Sequence, residues 1–480
     1  MSSRIDSTPR GSLQGALHAS QFFTIGLGAI IGVAWAIMLG NWLITAAPFG
    51  AMLGFLFGAT FMLPVAACYA ELATLIPSAG GEVSYTLAAF GRPVAFIVGW
   101  FIVLMAISMA SFEAISLAWF VELLFPAVTS ANAYRLLGSD VHYSALCIGA
   151  ALMVVISVVN YRGAGMVGRF QDTFTYLKAG AVVIFVISAL VVGHAENLRP
   201  LWTPISHRSP LLGIVWIAAT APVWYGGFQI VPQAVEERVA GISLRSIGRL
   251  TVLPVFLGLI FYWLVIASSC LVIPWRNLAA APLPAAVAIQ QALHNPVLAK
   301  AVLCCIVMGI LATWNACFLW AARLLLALGR AGMIPAPFGW SNRYQSPGVA
   351  VLFVGIAGLL GVFLGRGAIV PIINMASISL AFSYALCCWA ALRLRRLRPD
   401  TPRPFRTPLG IHAMRFAIAS AVIMALVAFF EPLTRTHGLP TEWLLLIVWS
   451  TLGILFGLMS LRKMDHSPVN ELQQRAGPTE

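Results

Sequence analysis

The chain has 480 residues, 60% of them hydrophobic and only 9% charged, with a formal net charge of +13. Soluble domains average about 25% charged residues, so a water-facing exterior is excluded and lipid must solvate most of the surface. The apolar runs approach the 20 residues that a hydrocarbon core of about 30 Å requires of a helix, and the absence of an alternating ten-residue pattern argues against a barrel.

The expected fold is therefore an all-α integral membrane protein of about 12 transmembrane helices. In chain order, residues 1–20 form an N-terminal tail. Spans follow at 22–46, 49–70, 94–124, 143–160, 173–193, 211–232, 250–273, 299–328, 348–365, 368–392, 413–430 and 443–461. A basic loop, 393–412, precedes the last two, and 462–480 forms a C-terminal tail. The spans at 94–124 and 299–328 are long and expected to tilt. The first span is too long, and starts too far from the N-terminus, for a cleavable signal core.

With the N-terminus in the cytoplasm, 21 of the 29 Lys and Arg residues fall on the inner side and 7 on the outer side, leaving Lys178 inside a span. The positive-inside rule thus predicts both termini cytoplasmic in a cell membrane of the inner type. This distribution, between apolar runs, excludes nucleic acid as the partner of the positive charge. The run from Arg393 to Arg406 reads as topology control, with contact to anionic membrane lipid as the alternative. The eight cysteines lie in or beside apolar runs without any C-x-x-C pair, so they read as packing residues and no metal or cofactor is expected. Neither H-E-x-x-H nor G-x-S-x-G occurs, and no catalytic residue or enzyme activity is expected.

The first and sixth spans are interrupted by glycine at matching points: Gly26-Leu27-Gly28-Ala29-Ile30-Ile31-Gly32 and Pro222-Val223-Trp224-Tyr225-Gly226-Gly227-Phe228. Glycine costs a helix up to about 1 kcal/mol relative to alanine. Unwound backbone at membrane depth is tolerated only where it is buried or lines a cavity. The ends of half-helices carry partial charges, positive at amides and negative at carbonyls, which suit a carboxylate and an ammonium group. Two such breaks five spans apart point to an inverted-repeat transporter with a midplane site. Close packing of the small-xxx-small kind explains Gly28-x-x-x-Gly32 alone equally well.

Charged residues inside spans usually face the protein interior and have partners. Lys178 can supply a fixed ammonium where other transporters place a sodium ion, or carry a coupling proton; snorkelling to the inner interface is the alternative. Glu113 can partner an arginine or a substrate amine, or lie near the outer interface. Glu71 stands near the inner end of the second span. Glu236 and Glu237, after the sixth span, can pair with Arg323 or Arg330 as an inner gate, or be solvated loop charges. Trp224, Tyr225, Phe228 and Trp320 can cover a substrate or serve as packing and interface anchors.

At these residues the chain resembles the amino acid–polyamine–organocation superfamily of permeases. Gly28-Ala29-Ile30-Ile31-Gly32 is similar to that family's first-helix motif. Similar stretches run from Glu71 through Pro77-Ser78-Ala79-Gly80-Gly81-Glu82 to Phe90-Gly91 and Gly99-Trp100, over Val159-Asn160-Tyr161-Arg162-Gly163, from Ala322-Arg323 to Pro335, and over Arg403-Pro404-Phe405-Arg406-Thr407-Pro408. The resemblance implies a five-plus-five inverted repeat, 21–193 and 211–392, with the pair of spans in 413–461 added. It implies alternating access and substrate at Ala29, Ile30, Ile31 and Gly32 and at Val223, Trp224, Tyr225, Gly226 and Gly227. A lysine at the position of Lys178 implies sodium-independent transport, coupled to protons or run as exchange. Gln229 departs from the acidic residue many members carry, which disfavours a dibasic substrate, and the Gly226-Gly227 pair favours a larger neutral one. An amino acid is the expected small-molecule substrate. A polyamine or ethanolamine carrier is the alternative, and a non-transporting amino-acid sensor is a rival from another class.

Overall fold

The structure, a computed structural model, describes residues 17–32, 34–78, 80–162, 167–205, 209–239, 241–281, 283–344, 346–434 and 438–461. The outer parts of both tails, Ala79 and Gly163 of the motifs above, and the side chains of Arg169 and Glu237 lie outside what is described.

In chain order the helices are α1 (Ala19–Ile30), α2 (Ala34–Leu75), α3 (Gly81–Phe90), α4 (Arg92–Leu124), α5 (Tyr143–Tyr161), α6 (Val167–Val192), α7 (Pro210–Ala219), α8 (Ala221–Trp224) and α9 (Ile230–Gln233). They continue as α10 (Leu244–Val272), α11 (Trp275–Ala280), α12 (Pro284–Leu293), α13 (Pro296–Arg330), α14 (Gly348–Val362), α15 (Ile369–Leu397), α16 (Ile411–Phe430) and α17 (Thr441–Leu461). Among the described residues, nine helices are long and apolar enough to cross a membrane; α1, α7 and α14 are shorter apolar helices. The expected all-α membrane fold is borne out.

Local chemistry sets the boundaries. α2 kinks at Ala47 (φ 58°), immediately before Pro48. Proline has no N–H to donate and crowds the residue before it, so the first and second spans separate there although they run on without a loop. Gly91, at φ 86°, ends α3 and opens α4, which has a proline in its first turn. Asn295 caps α13 by accepting hydrogen bonds from the amides of Val297 and Leu298, and Pro296 stands at the first position, a favoured pairing of cap and starter.

Short elements occupy several of the expected loops, α3 between the second and third spans among them. α11 and α12 fill the connection between α10 and α13. Between α4 and α5, β1 (Asn132–Leu136) and β2 (Ser139–His142) form an antiparallel hairpin. Its turn residues Leu137 and Gly138 both have positive φ, the conformation a two-residue hairpin turn requires. The Tyr134 hydroxyl donates to the Phe363 carbonyl, tying the hairpin to the end of α14.

α2 packs along α10 and α7, α4 packs against α13 and α15, and α15 lies beside α16. The largest fully buried side chains include Trp42, Trp224, Tyr225, Phe55 and Tyr384.

Candidate functional site at the helix breaks

The first break follows Ile30. Helical hydrogen bonding ends with the Ile31 amide donating to the Leu27 carbonyl at 2.8 Å, and Ile31 leaves helical geometry at ψ 54°. The next helix starts at Ala34. The last carbonyls of a helix have no partner within it, and two of these are met from another span. Lys178 Nζ, on α6, donates to the carbonyls of Gly28 and Ile31, both at 3.0 Å. Lys178 is only 3% exposed. Its aliphatic stem lies against Gly309 of α13, where any side chain would collide with it. Snorkelling is therefore ruled out by geometry: the ammonium points into the bundle.

The second break is longer. α7 gives way to α8, the chain turns through residues 225–229, and α9 resumes. Gly227 has φ 125°, a conformation that favours glycine. Its amide donates to the Gln229 side-chain carbonyl at 2.8 Å, and the Tyr384 hydroxyl donates to the same oxygen at 3.2 Å. Gln229 thus closes the break internally.

The two breaks touch. A Cβ on Gly227 would sit 2.5 Å from Ala29 Cβ and 3.2 Å from the Ile30 amide nitrogen. Tyr262, on α10, bridges them: its hydroxyl donates to the Trp224 carbonyl at 2.9 Å and also faces the Ile30 carbonyl at 3.2 Å. Around them stands an aromatic wall. Tyr262 stacks on Phe55 with centroids 4.3 Å apart, and Trp42 makes edge contacts with Trp224 at 5.1 Å and Phe55 at 4.7 Å. Ile30, Trp224 and Tyr225 are all buried. Peptide dipoles and one ammonium are thereby held in a buried interior, where electrostatic interactions are stronger than in water.

A profile for a family described as amino acid permease matches residues 17–456. The chain belongs to that family. Among its relatives, the branched-chain amino acid permease BcaP of Bacillus subtilis (strain 168) is 25% identical over 472 residues, covering 96% of this chain and 95% of the relative. The methylthioribose transporter of the same organism is 24% identical, with 96% of both chains covered. The b(0,+)-type amino acid transporter 1 of Homo sapiens is 24% identical over 82% of this chain and 76% of the relative.

The remaining charged residues of this permease fall into three groups. Glu113 is 1% exposed in the second half of α4, with Oε2 lacking a hydrogen-bond partner among the described residues. It lies in the interior within electrostatic reach of Lys178, not at the outer interface. The two do not form an ion pair. Arg323 and Glu236 are both exposed, and the described ion pairs do not join them. Glu71 is buried and engaged: Arg395 donates from Nε to Oε1 at 2.7 Å and from a terminal nitrogen to Oε2 at 2.6 Å, while Arg403 Nε lies 3.3 Å from Oε1.

Sequence reasoning missed Tyr262, Tyr384 and Gly309, because nothing in their local sequence marks which carbonyl or side chain they meet. It also left Glu82 inside a motif with no role. Glu82 is 1% exposed on α3, between spans. Gln233 Nε2, on α9, donates to Oε2 at 2.8 Å, and Oε1 has no partner among the described residues. Burial pushes its carboxyl up to about 7, partly offset by hydrogen bonds from the backbone and from Gln233.

Proposed function

We propose that this permease is a sodium-independent secondary transporter for a neutral amino acid, working by alternating access as a proton-coupled carrier or an exchanger. The carrying observation is Lys178 Nζ on the carbonyls of Gly28 and Ile31. These are freed by the first break, and an ammonium held there does the charge-compensating work that a bound cation would otherwise do. Glu113, buried nearby with Oε2 lacking a partner among the described residues, is the group with which Lys178 can exchange a proton without exposing either charge to lipid.

In this reading the substrate carboxylate meets the N-terminal end of α2 beside Gly32, where partial positive charge is concentrated. The amine takes the carbonyl oxygens of the Ile30 and Val223–Gly226 region once the Tyr262 hydroxyl swings aside. Gln229 brings no charge to the second break, so a cationic side chain would go unpaired there; a polyamine is correspondingly disfavoured. Trp42, Trp224 and Tyr225 wall the space. Twelve crossings follow if α2 counts as two at Ala47, α1 joins its first part, and α7 to α9 form one broken span, giving the five-plus-five repeat. The retention of both termini in the cytoplasm follows from the positive-inside distribution.

The test is uptake and exchange in proteoliposomes, offered labelled neutral and dibasic amino acids, putrescine and ethanolamine under imposed proton or sodium gradients. Saturable transport of a neutral amino acid that ignores sodium is expected. Sodium-dependent uptake, or transport of putrescine in preference to every amino acid, would overturn the reading.

A further inference from the structure

A cavity of about 610 Å³ lies between α2, α10 and the segment leading into α16, and none of its lining residues belongs to the helix breaks. It falls within the range of about 300–1,000 Å³ typical of ligand sites. Its walls are Leu63 and Pro64 on one side, Leu253 and Phe256 on another, and Phe405 and Leu409 at the end where the basic loop lies. Leu409 is 85% exposed and held at φ 59°. A left-handed leucine costs about 1–2 kcal/mol and persists only where its surroundings impose it.

Those surroundings are rigid. The Thr407 amide donates to Glu71 Oε2 at 2.8 Å and the Thr407 hydroxyl to the Ala67 carbonyl at 3.2 Å. Phe405 packs flat against α10 where Gly248 has no side chain. The end wall is therefore a built surface, not a loose loop. Arg249 is part of the lining, and Arg406, outside the lining itself, stands in the chain between the lining residues Phe405 and Thr407. Both are exposed and, among the described residues, neither has an acidic partner. The contrast with Arg395 and Arg403, which Glu71 consumes, is sharp.

We propose that this groove is a binding site for one anionic glycerophospholipid, an acyl chain lying along Pro64, Leu253 and Phe256 and the headgroup phosphate meeting Arg249 and Arg406. An apolar trough with Arg249 in its lining and Arg406 adjacent in the chain, neither with an acidic partner among the described residues, suits an acyl chain that carries an anionic head. Guanidinium presents a planar fork of donors suited to phosphate, and anionic lipids concentrate where juxtamembrane basic residues lie. A zwitterionic lipid offers the same chain but adds a cation beside two arginines.

The experiment is native mass spectrometry of the full chain, delipidated in detergent and titrated with phosphatidylglycerol or phosphatidylcholine of identical acyl chains. The expected result is one phosphatidylglycerol retained at least tenfold more strongly than phosphatidylcholine. R249Q/R406Q is expected to erase that preference, and L253W, which fills the trough without touching charge, to erase retention of both lipids. Equal retention of the two lipids, an unchanged preference in R249Q/R406Q, or equal competition by water-soluble glycerophosphoglycerol would overturn the proposal. So would a dimer formed through this face in place of lipid. None of these readouts involves transport, so the outcome is independent of the proposed substrate.

Discussion

At the scale of single residues, Lys178 and Glu82 show two ways of keeping a charged group inside the bundle. Lys178 is held by two carbonyls, and replacing it with alanine leaves both unpaired at about 1–3 kcal/mol each. Lys178→Ala is expected to abolish or uncouple transport, read as uptake at matched membrane content; unchanged proton-driven uptake would remove its role. Gly309→Val should have the same phenotype with the lysine still present, because its side chain would occupy the space of the Lys178 stem. Glu82 keeps its proton to higher pH than a free carboxyl, because burial raises it. With its carboxyl raised from 4.5 to about 7, the folded state binds a proton that the unfolded chain releases. Its contribution is therefore full in acid and is lost as pH rises from about 4.5 through 7, up to about 3 kcal/mol in all. Glu82→Gln should raise the melting temperature relative to the parent protein at pH 8 and lose that advantage toward pH 5. Parallel melting profiles across that range would reject this account.

At the scale of elements, both interruptions were legible because glycine and proline alter backbone options locally, without reference to neighbours. Their partners were not. The glycine pair in the sixth span announced a break, but only packing reveals that Gly227 lies on Ala29 and that Tyr262 straddles the two. Gly227→Ala should force the breaks apart, through both its φ of 125° and its 2.5 Å approach to Ala29 Cβ. A fall in uptake of at least tenfold, with membrane insertion intact, is expected; wild-type uptake would show the contact to be dispensable. The hairpin, α11 and α12 were invisible to hydropathy for a different reason: each is short, amphipathic at most, and stabilised by the bundle end it covers.

For the whole molecule, the basic residues also organise structure. The basic loop reads from sequence as a uniform positive run, yet Arg395 and Arg403 converge on Glu71, and Thr407 adds a backbone donor. Removing one member of a buried ion pair costs about 3–5 kcal/mol. Glu71→Ala should therefore free residues 398–410, the connection left between α15 and α16, and speed tryptic cleavage there, measured on membranes of known orientation; an unchanged cleavage rate would mean that the network does not restrain the loop. Seven spans separate the hairpin from that loop in the twelve-crossing arrangement, so they must face opposite compartments. In a variant whose exposed native cysteines are replaced, a cysteine at Asp140 should react with an impermeant maleimide from outside whole cells, and one at Asp400 only after permeabilisation.

Membrane residence and the two breaks were legible in the sequence, since each follows from transfer energies or backbone freedom counted along one segment; the family was legible through its motifs in order. Tertiary structure decided that Lys178 serves the carbonyls of Gly28 and Ile31, that Glu113 sits inside rather than at the interface, and that Glu71 gathers the basic loop. Those outcomes depend on which surfaces meet across more than a hundred residues of chain, and local pattern carries no information about distant partners.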